Sequence, residues 1–305
     1  MMFGIGVFIL DLVAPFLESI APLMPGEIFP FFFKWEMFQR AFIASIMVTV
    51  VAGFLGVFLI IQNMSLIGDG LAHVSFGGVA VALVLGATTP LYYAMMFSVI
   101  AAILIYELQS REILTGDASI AIFLTGMLAL GLVILRVGGG AITTDIEGYL
   151  FGNLLLIDNE SLDFIAFFSI LALICMLFIG PALLACTIDP MAARIQGLPV
   201  RGIGLLFSVV TAAVVVSMVQ VVGALLVTAL LVTPAATAQL IGRSFRSCII
   251  LTQVFGLTSV LGGLYLSAEM DTGSGSMIAL FAATIFTIVA IGKATSNLIS
   301  TNNDN

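Results

Sequence analysis

Nine long apolar segments dominate this chain of 305 residues, near 40–61, 66–86, 90–107, 118–136, 162–186, 203–221, 223–241, 247–267 and 276–293. Each approaches the ~20 residues that a helix needs to cross a hydrocarbon core. Gly and Pro punctuate the segments, and no alternating pattern of a membrane β-barrel runs through them. The backbone must therefore satisfy its own hydrogen bonds as helix. Only 9% of the residues are charged, 61% are hydrophobic and the mean hydropathy is +1.26, a composition that would precipitate as a soluble domain. The expected fold class is an all-α polytopic membrane protein with about eight to ten transmembrane helices.

Residues 38–293 read as one transmembrane domain, residues 294–305 as a short cytoplasmic tail, and residues 1–37 as an N-terminal extension. The stretch near 3–24 is apolar, but it has no basic n-region and carries Asp11 and Glu18, so it reads poorly as a cleaved signal. It is either an additional span or an interfacial helix. Spans rich in Gly can break into half-helices.

Loop charge sets the orientation. Arg111, Arg194, Arg201, Arg243 and Arg246 lie in three connections, at 108–117, 187–202 and 242–246, and Lys293 closes the last span. The connection 137–161 has Asp145, Glu147, Asp158 and Glu160 without a basic residue, and 268–275 has Glu269 and Asp271. The positive-inside rule places the basic group in the cytoplasm and the acidic loops outside. Lys34 and Arg40 then fall outside, against the trend. A net charge of −8 with no Lys/Arg cluster excludes a nucleic-acid partner. Cys175, Cys186 and Cys248 are far apart in sequence and read as small apolar residues in or near spans.

Ionisable residues within a span are costly, and each is a functional candidate. In LIGDGLAHVSFGG, Asp69 and His73 are four residues apart and share a helix face, and His73 is the one histidine in the chain. A carboxylate and an imidazole on adjacent turns suit zinc, manganese or ferrous iron. Two ligands do not complete a shell, but two copies about a two-fold axis would supply two Asp and two His. The other reading of the spacing is a simple hydrogen-bonded pair near a helix end. Gly68, Gly70, Gly77 and Gly78 around the pair allow close helix approach or local unwinding, as along a substrate path, or serve ordinary small-residue packing.

In DPMAARIQGLP, Asp189 can cap a short helix begun by Pro190 and ended at Gly197. Such a helix is either a rigid knob for a soluble partner or a plain connector. No GxxxxGK[ST] occurs, so the chain has no P-loop for ATP, and HExxH and GxSxG are also missing.

Six segments, in order, resemble the permease subunits of zinc/manganese/iron ABC importers. They are FQRAFIASIMV at 38–48, SLIGDGLAHVSFGGVAVALVLG at 65–86, GYLFGNLL at 148–155, DPMAARIQGLPV at 189–200, VGALLVTALLVTPAATAQLIGRS at 222–244 and DTGSGSMIALFAATIF at 271–286. The resemblance implies a type II-like importer permease in the bacterial inner membrane, paired with a second copy and served by cytoplasmic ABC ATPase subunits. An extracytoplasmic metal-binding protein would deliver the ion. No cofactor stays bound; the metal is the cargo. The family's Asp and His fall on Asp69 and His73, which would line the pathway. The 189–199 helix, with Asp189, Pro190, Ala193, Arg194 and Gly197, would couple to the ATPase. The chain departs from the family in three places: Gln62-Asn63 stand for an Arg pair, Thr272, Ser274 and Ser276 occupy a proline-bearing region, and 118–136 has no histidine. The last departure favours manganese or iron over zinc. Two rivals are a secondary metal transporter without an ATPase, and a membrane enzyme using Asp69, His73 and Ser75.

Overall fold

A computed structural model of the chain describes residues 4–138, 152, 154, 157–224 and 227–303, and every regular element among them is helical. Helix α1 (Ile5–Ile20) leads through a short turn and α2 (Phe31–Lys34) into α3 (Glu36–Ile61). Then follow α4 (Ile67–Val84), α5 (Pro90–Ser110), α6 (Gly116–Val137), α7 (Asn159–Ile188), the short α8 (Pro190–Ile195), α9 (Val200–Val222), α10 (Val227–Leu231), α11 (Thr233–Ile241), α12 (Phe245–Met270) and α13 (Ser274–Asn303). Among the described residues, nine helices are long and apolar enough to cross a membrane, α1 included. Asp145, Glu147 and most of the GYLFGNLL segment lie outside the described residues.

Polar residues start several of the helices. Thr115 caps α6 by accepting from the Ala118 amide, Asp158 caps α7 through Ser161, and Ser244 caps α12 through Ser247. Each side-chain oxygen satisfies one of the amides that a first helical turn leaves open. Between caps, apolar sequence and satisfied backbone leave helix as the one workable form in lipid.

Contacts sort the helix ends into two groups. At one end Gln62, after α3, donates to Thr187 near the close of α7 at 3.0 Å, and Glu107 of α5 binds Arg111 and Arg201. Phe58 of α3 stacks edgewise on Phe207 of α9 and Phe245 of α12, and Lys293 reaches the Leu240 carbonyl. At the other end Arg40 meets Asn159, Gln220 meets Ser161, and Glu269 meets the 27–29 backbone. The first end carries Arg111, Arg194, Arg201, Arg243 and Arg246, and so is the cytoplasmic one. Arg40, one of the two exceptions named in the charge pattern, is engaged structurally at the outer end, with Nη1 at 2.8 Å from Asn159 Oδ1 and 3.3 Å from Glu36 Oε1.

Helices α3, α4 and α9 form the buried centre, and α5, α6, α12 and α13 expose apolar faces. The span expected at 223–241 returns from the outer end of α9 to the cytoplasmic end as a broken element, α10 followed by α11. Gly223 adopts φ 88°, open to glycine but strained for other residues, and Pro234 stands in the first turn of α11 without an amide to donate. Helix α13 continues unbroken through most of the tail expected at 294–305.

Candidate metal pathway site

Asp69 stands in the first turn of α4 and His73 one turn further along, so the helix holds both on one face. Asp69 lies where the helix dipole favours a negative charge. Its side chain keeps about a third of its exposure, whereas His73 is buried. Asp69 Oδ1 and His73 Nε2 are 3.7 Å apart, beyond hydrogen-bond reach. His73 Nδ1 is also buried, without a hydrogen-bond partner among the described residues. The pair therefore does not satisfy itself, contrary to the hydrogen-bonded alternative. It leaves a carboxylate and an imidazole with unused lone pairs, the donor set for a borderline divalent cation. Among the described residues no three His, Cys, Asp or Glu side chains converge on one metal position.

The four glycines lie within an unbroken α4, and each marks a close approach. A Cβ on Gly78 would fall 2.8 Å from the Tyr93 carbonyl oxygen of α5, and one on Gly77 2.9 Å from the Met127 carbonyl oxygen of α6. On Gly70 it would meet Ile120 at 2.7 Å, and on Gly68 Leu231 at 2.8 Å. What the structure gives these glycines is contact with α5, α6 and α10; none interrupts the helix.

The broken element supplies a neighbour that sequence reasoning missed. Thr228 Oγ1 would sit 3.7 Å from a Cβ on Gly68, the residue beside Asp69, and it is buried without a partner among the described residues. A hydroxyl in an apolar run gives no signal of its own; only the packing of α10 against α4 reveals it. Ser75, by contrast, turns back to the Ala72 carbonyl at 2.6 Å, and its nearest use is local.

At the cytoplasmic end, Asp189 Oδ1 accepts from the Met191 and Ala192 amides at 3.0 and 2.9 Å, and Pro190 opens α8. Ala193 is buried and seats the helix, Arg194 is exposed, and Gly197 closes it at φ 83°. Met191 and Ile195, one turn apart, are 67% and 86% exposed, so α8 presents a bare apolar ridge that the sequence reading did not single out.

The model of the ABC 3 transport family matches residues 34–293. The chain belongs to the ABC 3 transport family. The manganese import system permease protein ScaB of Streptococcus gordonii is 32% identical over 254 residues, 83% of this chain and 90% of that protein. The high-affinity zinc uptake system membrane protein ZnuB of Haemophilus influenzae is 29% identical over 254 residues, 83% of this chain and 97% of its own length. Among solved structures, PsaBC from Streptococcus pneumoniae in complex with Fab superposes with a TM-score of 0.75 at 33% identity, covering 86% of this chain and 94% of that one. Membership of the ABC 3 transport family makes this a multi-pass inner-membrane permease, a transport subunit and not itself a catalyst. The family match begins at residue 34, so α1 and the aromatic connection to α3 precede it.

Proposed function

We propose that the chain is the membrane subunit of an ATP-driven importer of a divalent transition metal, and that Asp69 and His73 bind the ion in transit. The observation that carries this reading is the pair of a buried His73 and a half-buried Asp69, not hydrogen-bonded to each other, in a chain whose relatives bear the names of manganese and zinc uptake proteins. Two copies of the chain bring two carboxylates and two imidazoles to one cation. The carboxylates offset part of the cost of taking that charge out of water. The chemistry of an Asp–His set admits manganese, iron and zinc; the missing histidine in 118–136 favours manganese, and iron ranks beside it.

An extracytoplasmic metal-binding protein delivers the ion at the acidic end. Cytoplasmic ATPase subunits act on the α8 knob, whose exposed Met191, Arg194 and Ile195 are the contact surface and whose Asp189, Pro190, Ala193 and Gly197 hold its shape. Closure of the ATPases tilts the spans from outward-open to inward-open. The site must hold metal weakly, because release follows.

The test is uptake of radioactive manganese, with zinc and iron offered separately, in cells that lack their own importer but express the cognate partners. Asp69→Ala and His73→Ala, at matched membrane levels and still assembled with the ATPase, are expected to fall by at least about tenfold, the effect of deleting a metal ligand. Transport at wild-type rate by both variants would show that the pair is structural.

A further inference from the structure

Helix α1 is long and apolar enough to be a span, yet contacts place its start and the connection that follows it at one end of the bundle. The Gly6 and Val7 amides, in its first turn, donate to Asp163 Oδ1 at 2.7 and 3.1 Å. Asp163 is the fifth residue of α7, about 6 Å along the axis from the outer start of that helix. The backbone of Gly6 lies against Leu162, where even a Cβ would collide with the main chain at 2.6 Å. Beyond its other end, the amides of Glu27, Ile28 and Phe29 donate to the Glu269 carboxylate at 3.0–3.1 Å. Glu269 is the penultimate residue of α12, at that helix's outer end. A spanning α1 would put one end about 24 Å deeper, level with Ile179 of α7 or Gln253 of α12. Instead its 16 residues lead from the outer end of α7 into a connection held at the outer end of α12.

The side chains sort into three faces. Leu10 and Leu17, with Gly6, are buried against the bundle. Phe8, Leu12 and Phe16, at successive four-residue steps, are 68, 69 and 65% exposed and form an apolar stripe. Asp11 and Glu18, two turns apart, are exposed on a third face. A transmembrane helix in this position would leave two carboxylates in hydrocarbon, Asp11 near mid-depth. A helix lying in the interface plane sends the apolar stripe into the acyl boundary and the acids into water. Two further features agree. Residues 1–33 contain no Lys or Arg that would favour the cytoplasmic side. The single tryptophan, Trp35, is exposed at the start of α3, packed edgewise on Phe31, at the level where aromatic rings mark a membrane–water interface.

We infer that α1 is an outer-face interfacial helix, pinned at its start by Asp163 of α7 and followed by a connection that Glu269 of α12 holds at the same end, and that its Phe8–Leu12–Phe16 stripe binds the outer leaflet. The attraction is apolar, since the exposed polar face is acidic and offers nothing to anionic headgroups. Residue 5 therefore lies outside the cytoplasm, and among the described residues the chain first crosses the membrane with α3.

Thiol labelling in intact spheroplasts and in inverted vesicles tests this on the full chain, with Cys175, Cys186 and Cys248 replaced by Ser. Single cysteines are introduced as Ile5→Cys, Asp11→Cys and Leu12→Cys, with Thr272→Cys and Arg243→Cys as outer and cytoplasmic references. An impermeant maleimide is expected to label Ile5→Cys and Asp11→Cys from the outside, as it labels Thr272→Cys, and Leu12→Cys at least about tenfold more slowly because its thiol is shielded from water. In reconstituted vesicles, a fluorophore on Leu12→Cys should be quenched more by a phospholipid nitroxide near the headgroup than by one at the acyl-chain end. Labelling of Ile5→Cys only from the cytoplasmic face, or of Asp11→Cys from neither, would overturn the inference. So would stronger quenching by the deep probe, as for a span, or by neither, as for a stripe covered by protein.

Discussion

A single atom at the wrong place can close the gap between α4 and its neighbours, and the residues around the candidate site divide sharply on this point. Gly78 faces the main chain of Tyr93 and Ala94, which cannot rotate away, whereas Gly126 in α6 has open space where a Cβ would stand. Gly78→Val should therefore push α5 from α4 and destabilise the bundle by about 1–3 kcal/mol, the usual cost of overpacking. Gly126→Ala should be silent. The midpoint of thermal aggregation in detergent separates the two, and equal midpoints would mean that α5 yields more readily than its backbone contact suggests. The same scale explains why Asp69 and His73 were legible in the sequence and Thr228 was not. An acid and a lone histidine stand out from an apolar run by type alone. A threonine does not, and its place beside Gly68 comes only from the packing of α10 against α4.

At the scale of elements, the short α8 is held by its cap more than by its length, since six residues are too few to form a stable helix alone. Asp189→Ala removes two amide partners and should cost about 1 kcal/mol of local stability, while Asp189→Asn keeps the acceptor. If α8 carries force from the ATPase, the Ala variant should show reduced metal uptake with ATP hydrolysis still running, and the Asn variant should recover it. Uptake and hydrolysis falling together in the Ala variant would point instead to lost assembly. The elements also show what apolar sequence conveys and what it leaves open. Runs such as 40–61 and 247–267 became α3 and α12 almost as delimited, because burial in lipid permits few alternatives. The run at 223–241 did not become one helix, since Gly223 and Pro234 interrupt a stretch whose hydropathy is uniform. Nor could hydropathy place α1, whose depth follows from Asp163 and Glu269, residues 157 and about 240 positions away in sequence.

For the molecule as a whole, the proposed Asp69–His73 site offers two ligands, and a cation bound there would draw its remaining ligands from outside the described residues of that chain. A second copy is the economical source, because a two-fold axis repeats the same Asp–His pair at no cost in new sequence. This arrangement makes a quantitative demand that two independent half-sites would not. Consider importers assembled from one wild-type chain and one Asp69→Ala/His73→Ala chain, tagged differently and purified through both tags. If each chain binds and passes metal separately, the mixed assembly should retain roughly half of wild-type uptake, as additive sites do. If the ion sits between the chains, removing either half leaves two ligands where four are needed. The mixed assembly should then transport about as poorly as the doubly substituted one, with ATPase binding unchanged. Uptake near half would refute the shared site while leaving a metal role for Asp69 and His73 within each chain. Loss in the mixed assembly would fix the cation between the copies and make assembly a precondition of transport.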